Sequence, residues 1–189
     1  MDEGKRIGDS LSGVAAEVSV CTRCPLSLSR TKAVPGEGPS DARVVIVGEG
    51  PGRSEDVEGR PFVGAAGREL ERLLKNAGLR REDVFITNVV KCRPPENRRP
   101  TSDEADACDP YLQRQLDLVG PKVVVLLGDS ALKRFLPGES LGRAHGKLFD
   151  KELFALFATY HPAAMMYNRS LESVVNEDFK TLEKILGSC

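Results

Sequence analysis

ARVVIVGEGPG, residues 42–52, decides how the rest of this chain is read. Val44–Val47 is apolar at every position, as in a strand buried on both faces of a parallel sheet, and it breaks directly into glycine. From about Gly64 the period changes: Leu70, Leu73, Leu74 and Ala77 recur at i, i+3, i+4 and i+7, and Gly78 stops them. A strand, a glycine loop and an amphipathic helix make one βα unit.

The same alternation runs to the end of the chain. DVFITNVV (83–90), KVVVLLG (122–128) and ELFALFATY (152–160) read as three more strands. Thr101 and Glu104 form a capping box ahead of a helix carrying Cys108, Leu112, Leu116 and Val119, in which Pro110 predicts a kink or a second start. A short helix follows Asp129, and the last helix presents Val175, Phe179, Leu182 and Leu186. Residues 1–40 read as a helix and a long irregular loop. The expectation is a single α/β domain over residues 1–189, with four parallel strands covered by helices on both faces.

The composition agrees. The chain has 189 residues, 40% hydrophobic and 29% charged, with a net charge of −1. No global field draws it to nucleic acid or membrane, so any such attraction must be local. No apolar run approaches the roughly 20 residues that span a bilayer, and MDEGKRIGDS at the start lacks a signal-peptide core. A cytoplasmic location is expected, where five cysteines are not expected to form structural disulfides.

In parallel sheets, ligands bind where the strands end. Strand one ends in Gly48-Glu49-Gly50, strand two at Asn88, strand three at Gly128, and strand four at His161. A carboxylate, an amide and an imidazole therefore meet on one rim. The loop GEGPGRSEDVEGRPFVGAAG (48–67) has six glycines in twenty residues but lacks both phosphate-loop patterns. Its acids Glu55, Asp56 and Glu58 oppose an anion. A tight surface turn is the bland alternative. Phe62, flanked by proline and small residues, reads as core or as the flat wall of a pocket for a planar ligand. His161 is read as functional and His145, in a polar loop, as structural.

Cys21-x2-Cys24 and Cys92-x15-Cys108 supply four thiols in two sets. Four thiolates suit zinc or an iron–sulfur cluster, and the spacing favours the cluster only modestly. Cys189 reads as a bystander. KCRPPENRRP (91–100) carries Lys91, Arg93, Arg98 and Arg99 against Glu96. Its place on the rim favours contact with a phosphate backbone over a merely solvated loop.

GEGPG (48–52), PFVGAAG (61–67), TNVVKCRPPENRRP (87–100) and HPAA (161–164), in this order and with the four cysteines, closely resemble the family 4 uracil-DNA glycosylases of bacteria and archaea. The resemblance runs from about residue 15 to the last helix. It implies a three-layer α/β/α sandwich around a four-stranded parallel sheet. It implies a [4Fe–4S] cluster held by Cys21, Cys24, Cys92 and Cys108 as a structural clamp. It implies a monomeric enzyme that removes uracil from single- or double-stranded DNA and leaves an abasic site without cutting the strand. By the same resemblance, Gly48, Glu49 and Gly50 line the uracil pocket, Phe62 stacks on the base, Asn88 reads its polar edge, and His161 contacts it. Glu49 and His161 are the catalytic candidates. Arg93, Arg98, Arg99 and Arg169 are candidates for the DNA backbone. Glu55 is expected to bond across to Asn97 and fix two motifs together.

The chain departs from the family pattern in two places. Gly50 stands where many relatives have alanine, and MMYNRS follows HPAA where leucine and arginine are common. A related branch that crosslinks to DNA carries a reactive histidine after strand two, and residues 91–100 contain none. The competing readings are a non-catalytic nucleic-acid-binding module and, more remotely, a nucleotide hydrolase.

Overall fold

The computed structural model describes residues 9–187. The first eight residues of the polar start and Cys189, both read above, lie outside that range.

In chain order the helices are α1 (Leu11–Val20), α2 (Arg53–Glu58), α3 (Ala65–Asn76), α4 (Ser102–Val119), α5 (Asp129–Phe135), α6 (Leu141–Ala144), α7 (Pro162–Tyr167) and α8 (Leu171–Gly187). The strands are β1 (Val44–Gly48), β2 (Val84–Asn88), β3 (Val123–Leu127), β4 (Leu148–Asp150) and β5 (Ala155–Thr159). The sheet order is β2-β1-β3-β5-β4. The first four strands in that order pair in parallel, and β4 pairs antiparallel to β5.

The expected four-stranded parallel sheet is therefore corrected to five strands in a mixed sheet. The missed strand, β4, is three residues long and has no buried position, so it carries no apolar run for a sequence reading to find. As a short, exposed edge it fits the usual way sheets are terminated.

The buried strands alternate even where a run is apolar throughout, as in Val44–Val47 and Val123–Leu127. Val45 and Val47 of β1 join Val124, Leu126, Leu156 and Ala158 in a core with residues of α1 and α4. Val44 and Ile46 face the other way, with Val123, Val125 and Phe157, onto α3 and α8. The period of two divides one hydrophobic run between two cores, which makes the molecule a three-layer sandwich.

Thr101 and Glu104 cap α4 as expected: the Glu104 amide donates to Thr101 Oγ1 (3.3 Å) and the Thr101 amide to Glu104 Oε2 (2.8 Å). Pro110 neither ends this helix nor starts another; α4 runs through it. Arg134 straps that region from outside, donating to Asp106 (2.5 Å) and Asp109 (2.8 Å). Among the described residues, no helix is long and apolar enough to cross a membrane.

Candidate active site

Register alone brings the rim together. Gly48 pairs with Asn88 at the ends of β1 and β2. The Gly128 amide, just past β3, donates to Thr159 O at the end of β5 (2.9 Å). His161 follows two residues later as the N-cap of α7. Glu49, Phe62, Asn88, Gly128 and His161 line one cleft of about 590 Å³. The structure thus gathers residues that lie over a hundred positions apart in sequence.

Gly48 is buried behind Asn88 and Phe62 and is not among the residues lining the cleft. A Cβ at this position would lie 2.4 Å from Asn88 Oδ1 and 2.7 Å from Phe62 Cζ, so both side chains occupy space that only glycine leaves open. Asn88 is 1% exposed, and its Oδ1 is buried without a hydrogen-bond partner. Leaving a buried acceptor unmet costs roughly 1–3 kcal/mol, and such an atom in a cleft calls for a ligand that donates to it. The Phe62 ring stacks on the His161 ring at 5.5 Å between centroids, inclined by 28°.

His161 is electrically neutral at pH 7. Burial lowers its pKa to about 4, with Glu55 pulling weakly the other way. Its Nδ1 accepts the Ala163 amide proton (3.2 Å). In a neutral ring the proton then resides on Nε2, which makes Nε2–H a hydrogen-bond donor.

Glu49 is held by a residue the sequence reading missed. Ser130 Oγ donates to Glu49 Oε2 at 2.5 Å. Ser130 lies two residues past the strand-three glycine, so the strand-end rule pointed at its neighbourhood. Nothing in its own context marked it.

Two of the three acids of the glycine loop serve the backbone. Glu55 Oε1 accepts from the amides of Val63 (3.0 Å) and Gly64 (2.9 Å), and Oε2 from Gly52 (3.1 Å). Buried Asp56 accepts from the Thr31 amide (2.8 Å). The expected bond from Glu55 to Asn97 is replaced by these contacts, and Asn97 Oδ1 accepts instead from Arg93 Nε (2.8 Å). Three turn amides occupy the Glu55 carboxylate and Arg93 occupies the Asn97 amide oxygen, because amides at a turn need acceptors.

The basic loop divides. Lys91 is 1% exposed and points into the core, donating to Thr87 Oγ1 (2.6 Å), Asn88 O (2.7 Å) and Gln115 Oε1 (2.7 Å). Burial lowers its pKa to about 8. Reading Lys91 with the surface charges is therefore corrected. Arg98 grips Glu104 with both terminal nitrogens (2.8 and 2.7 Å), which anchors the loop to α4. Asn97, Arg98 and Arg99 line the cleft, while exposed Arg169 lies in the turn between α7 and α8. His145 is structural as expected, with Nδ1 3.1 Å from Asp178 Oδ1.

The four cysteines also converge. Cys21 ends α1, Cys24 precedes a short 3-10 turn, Cys92 follows β2 and Cys108 sits within α4, and all four line one recess with Arg23 and Tyr111. Arg30 Nη1 donates to Cys92 Sγ (3.0 Å), and the Lys91 amide to Cys108 Sγ (3.3 Å). Burial raises the Cys108 thiol to about 11 and pushes Cys92 up as well. Four sulfurs in one recess, two of them already receiving N–H donors, fit ligands of a positively charged metal group. Among the described residues, no three His, Cys, Asp or Glu side chains close on a single ion.

Residues 35–184 match the model of the uracil DNA glycosylase superfamily. The chain is 48% identical to a type-4 uracil-DNA glycosylase of Sulfurisphaera tokodaii, covering 94% of this chain and 85% of that protein. It is 45% identical to the type-4 enzyme of Saccharolobus solfataricus, over 95% of this chain and 88% of the relative. It is 46% identical to that of Thermotoga maritima, over 92% and 93%. The chain belongs to the uracil DNA glycosylase superfamily, in its type-4 branch.

Proposed function

We propose that this protein excises uracil from DNA by hydrolysing the N-glycosidic bond, leaving an abasic site. The observation that carries the reading is the unpartnered Asn88 Oδ1 in a cleft it shares with Phe62 and His161. Uracil presents N3–H to that oxygen and O4 to the amide nitrogen. Cytosine presents the reverse pattern and would leave buried polar groups unpaired. A base inside a duplex cannot reach this cleft, so the nucleotide must be extruded.

The chemistry follows from the three walls. As the C1′–N1 bond breaks, its electron pair moves into the uracil ring and onto O2. His161 Nε2–H is the donor for that oxygen, and a neutral imidazole gives it without having to lose a proton. Positive charge develops on the sugar, and the Glu49 carboxylate, held by Ser130, favours it electrostatically. Water then supplies its oxygen to C1′, and its proton balances the charge on the released base. Lys91, buried and triply bonded, does not line the cleft, which supports hydrolysis without a lysine intermediate or strand cleavage.

In this reading Arg93, Arg99 and Arg169 meet phosphates of single- or double-stranded DNA, and Arg98 steadies the loop that presents them. Cys21, Cys24, Cys92 and Cys108 hold a [4Fe–4S] cluster, which when bound ties α1 and α4 to the loop after β2. The protein acts as a cytoplasmic monomer. The test is base release from oligonucleotides containing uracil or thymine. Release of neither base by protein showing the visible absorption of an intact cluster would defeat the proposal.

A further inference from the structure

We propose that Arg81 is a positioning residue for the base-stacking ring: its guanidinium locks the Pro61–Phe62 backbone in the conformation that turns Phe62 into the cleft. The inference rests on the glycosylase reading above.

Phe62 has φ +50°. Bulky side chains rarely enter this left-handed region, and they stay there only when their surroundings hold them. Here the hold is visible. Arg81 Nη2 donates to Pro61 O (2.5 Å) and Nη1 to Phe62 O (2.9 Å), so one planar fork grips two successive carbonyls. The fork is itself fixed. Its Nε and Nη2 donate to Glu37 Oε1 (3.2 and 2.6 Å), and Arg60 braces the same carboxylate from a second side (2.8 and 3.1 Å).

Glu37 in turn is tied to the sheet. Its amide donates to Ile86 O (3.0 Å), and the Ile86 amide donates back to Glu37 O (2.8 Å). Ile86 lies two residues before Asn88 on β2. A continuous set of bonds therefore runs from the strand that carries the base-reading amide to the turn that carries the stacking ring. On the far side Gly67, in the first turn of α3, lets the carbonyl seat closely: a Cβ there would lie 1.9 Å from Phe62 O. Arg81 does not line the cleft, so its effect on substrate must pass through Phe62.

The test uses Arg81→Lys, which keeps a positive charge beside Glu37 but cannot fork to two carbonyls. Single-turnover uracil release is measured for the wild type, R81K, F62A and the double variant, well below the lowest melting midpoint. Inhibition by free uracil is measured on the same set. Arg81→Met replaces R81K if the lysine variant does not fold. The expected result is a loss on the order of 10- to 100-fold in rate for R81K, as for other ångström-scale misplacements. Weaker inhibition by uracil should accompany it, with unchanged affinity for uracil-free DNA.

In the F62A background the same exchange should cost little, because the ring it positions is gone. R81K as fast as the wild type, or an equal loss in both backgrounds, overturns the inference and leaves Arg81 as a structural ion pair. A wild type that releases no uracil removes the glycosylase reading itself. An active wild type with an indifferent R81K removes this inference alone.

Discussion

Replacing Asn88 with alanine should abolish most base excision while leaving folding nearly untouched, and both halves can be sized. In the free protein the Asn88 Oδ1 is buried without a partner. Truncation removes that atom and relieves roughly 1–3 kcal/mol of desolvation. The packing lost with a side chain of this size at the edge of an open cleft is of similar order, so the net change in stability is close to zero. The melting midpoint should then move by no more than about 2–4 °C.

Substrate fares differently. Two hydrogen bonds to uracil are lost, each worth roughly 0.5–1.5 kcal/mol, and the N3–H and O4 of the base are left unmet in a closed site. The sum is about 2–4 kcal/mol, or roughly 30- to 1,000-fold in kcat/KM. Single-turnover release from a uracil oligonucleotide, run beside a thermal melt of the same preparation, reads both quantities. Release within about threefold of the parent would refute the role assigned to the amide. So would a fall in melting point large enough to account for the lost activity.

Three further outcomes are expected. His161 has a folded pKa of about 4 against an ordinary 6.5, so the unfolded chain binds the extra proton first as pH falls. Stability should drop between about pH 6.5 and 4, by up to roughly 3 kcal/mol, and His161→Gln should flatten that slope in melts taken across the range. For Glu104 the hydrogen bond from Arg98 is the largest cause of a pKa near 2, so its stabilising effect is present above about 4.5 and lost toward 2. Glu104→Gln should therefore lower the melting point at neutral pH and narrow the gap in strong acid. If Cys108 is a cluster ligand as proposed, Cys108→Ser should remove the visible absorption and lower the melting point, because a bound cluster would add to folding energy; an unchanged spectrum would show that Cys108 is not a ligand.

The fold was largely legible because its signals are local. Val44–Val47, Val123–Leu127 and the Leu70–Leu74 stripe each announce their element within a few residues, and the strand-end rule converts those elements into a rim. What the sequence left hidden depends on distance or exposure. β4 has no core face and so leaves no pattern. Lys91 looks like a surface charge in KCRPPENRRP, and only its three acceptors, Thr87 Oγ1, Asn88 O and Gln115 Oε1, the last on a helix 24 positions away, make its burial possible. Glu55 shows its role only once Val63 and Gly64 fold back over it. Ser130 and Arg81 have ordinary sequence contexts, and their importance lies wholly in what the chain brings to them.

One short span has a consequence for how the protein can change over time. Asn88, Lys91 and Cys92 lie within five consecutive positions, with the lysine ammonium bonded to the asparagine's own carbonyl. The amide proposed to read the base and a sulfur proposed to hold the cluster therefore share a single rigid ruler. An inserted or deleted residue between 88 and 92 would shift one of them against the other. Lineages descending from this sequence are free to vary the outer part of the arginine loop, but the length of that ruler is fixed for as long as both functions are kept.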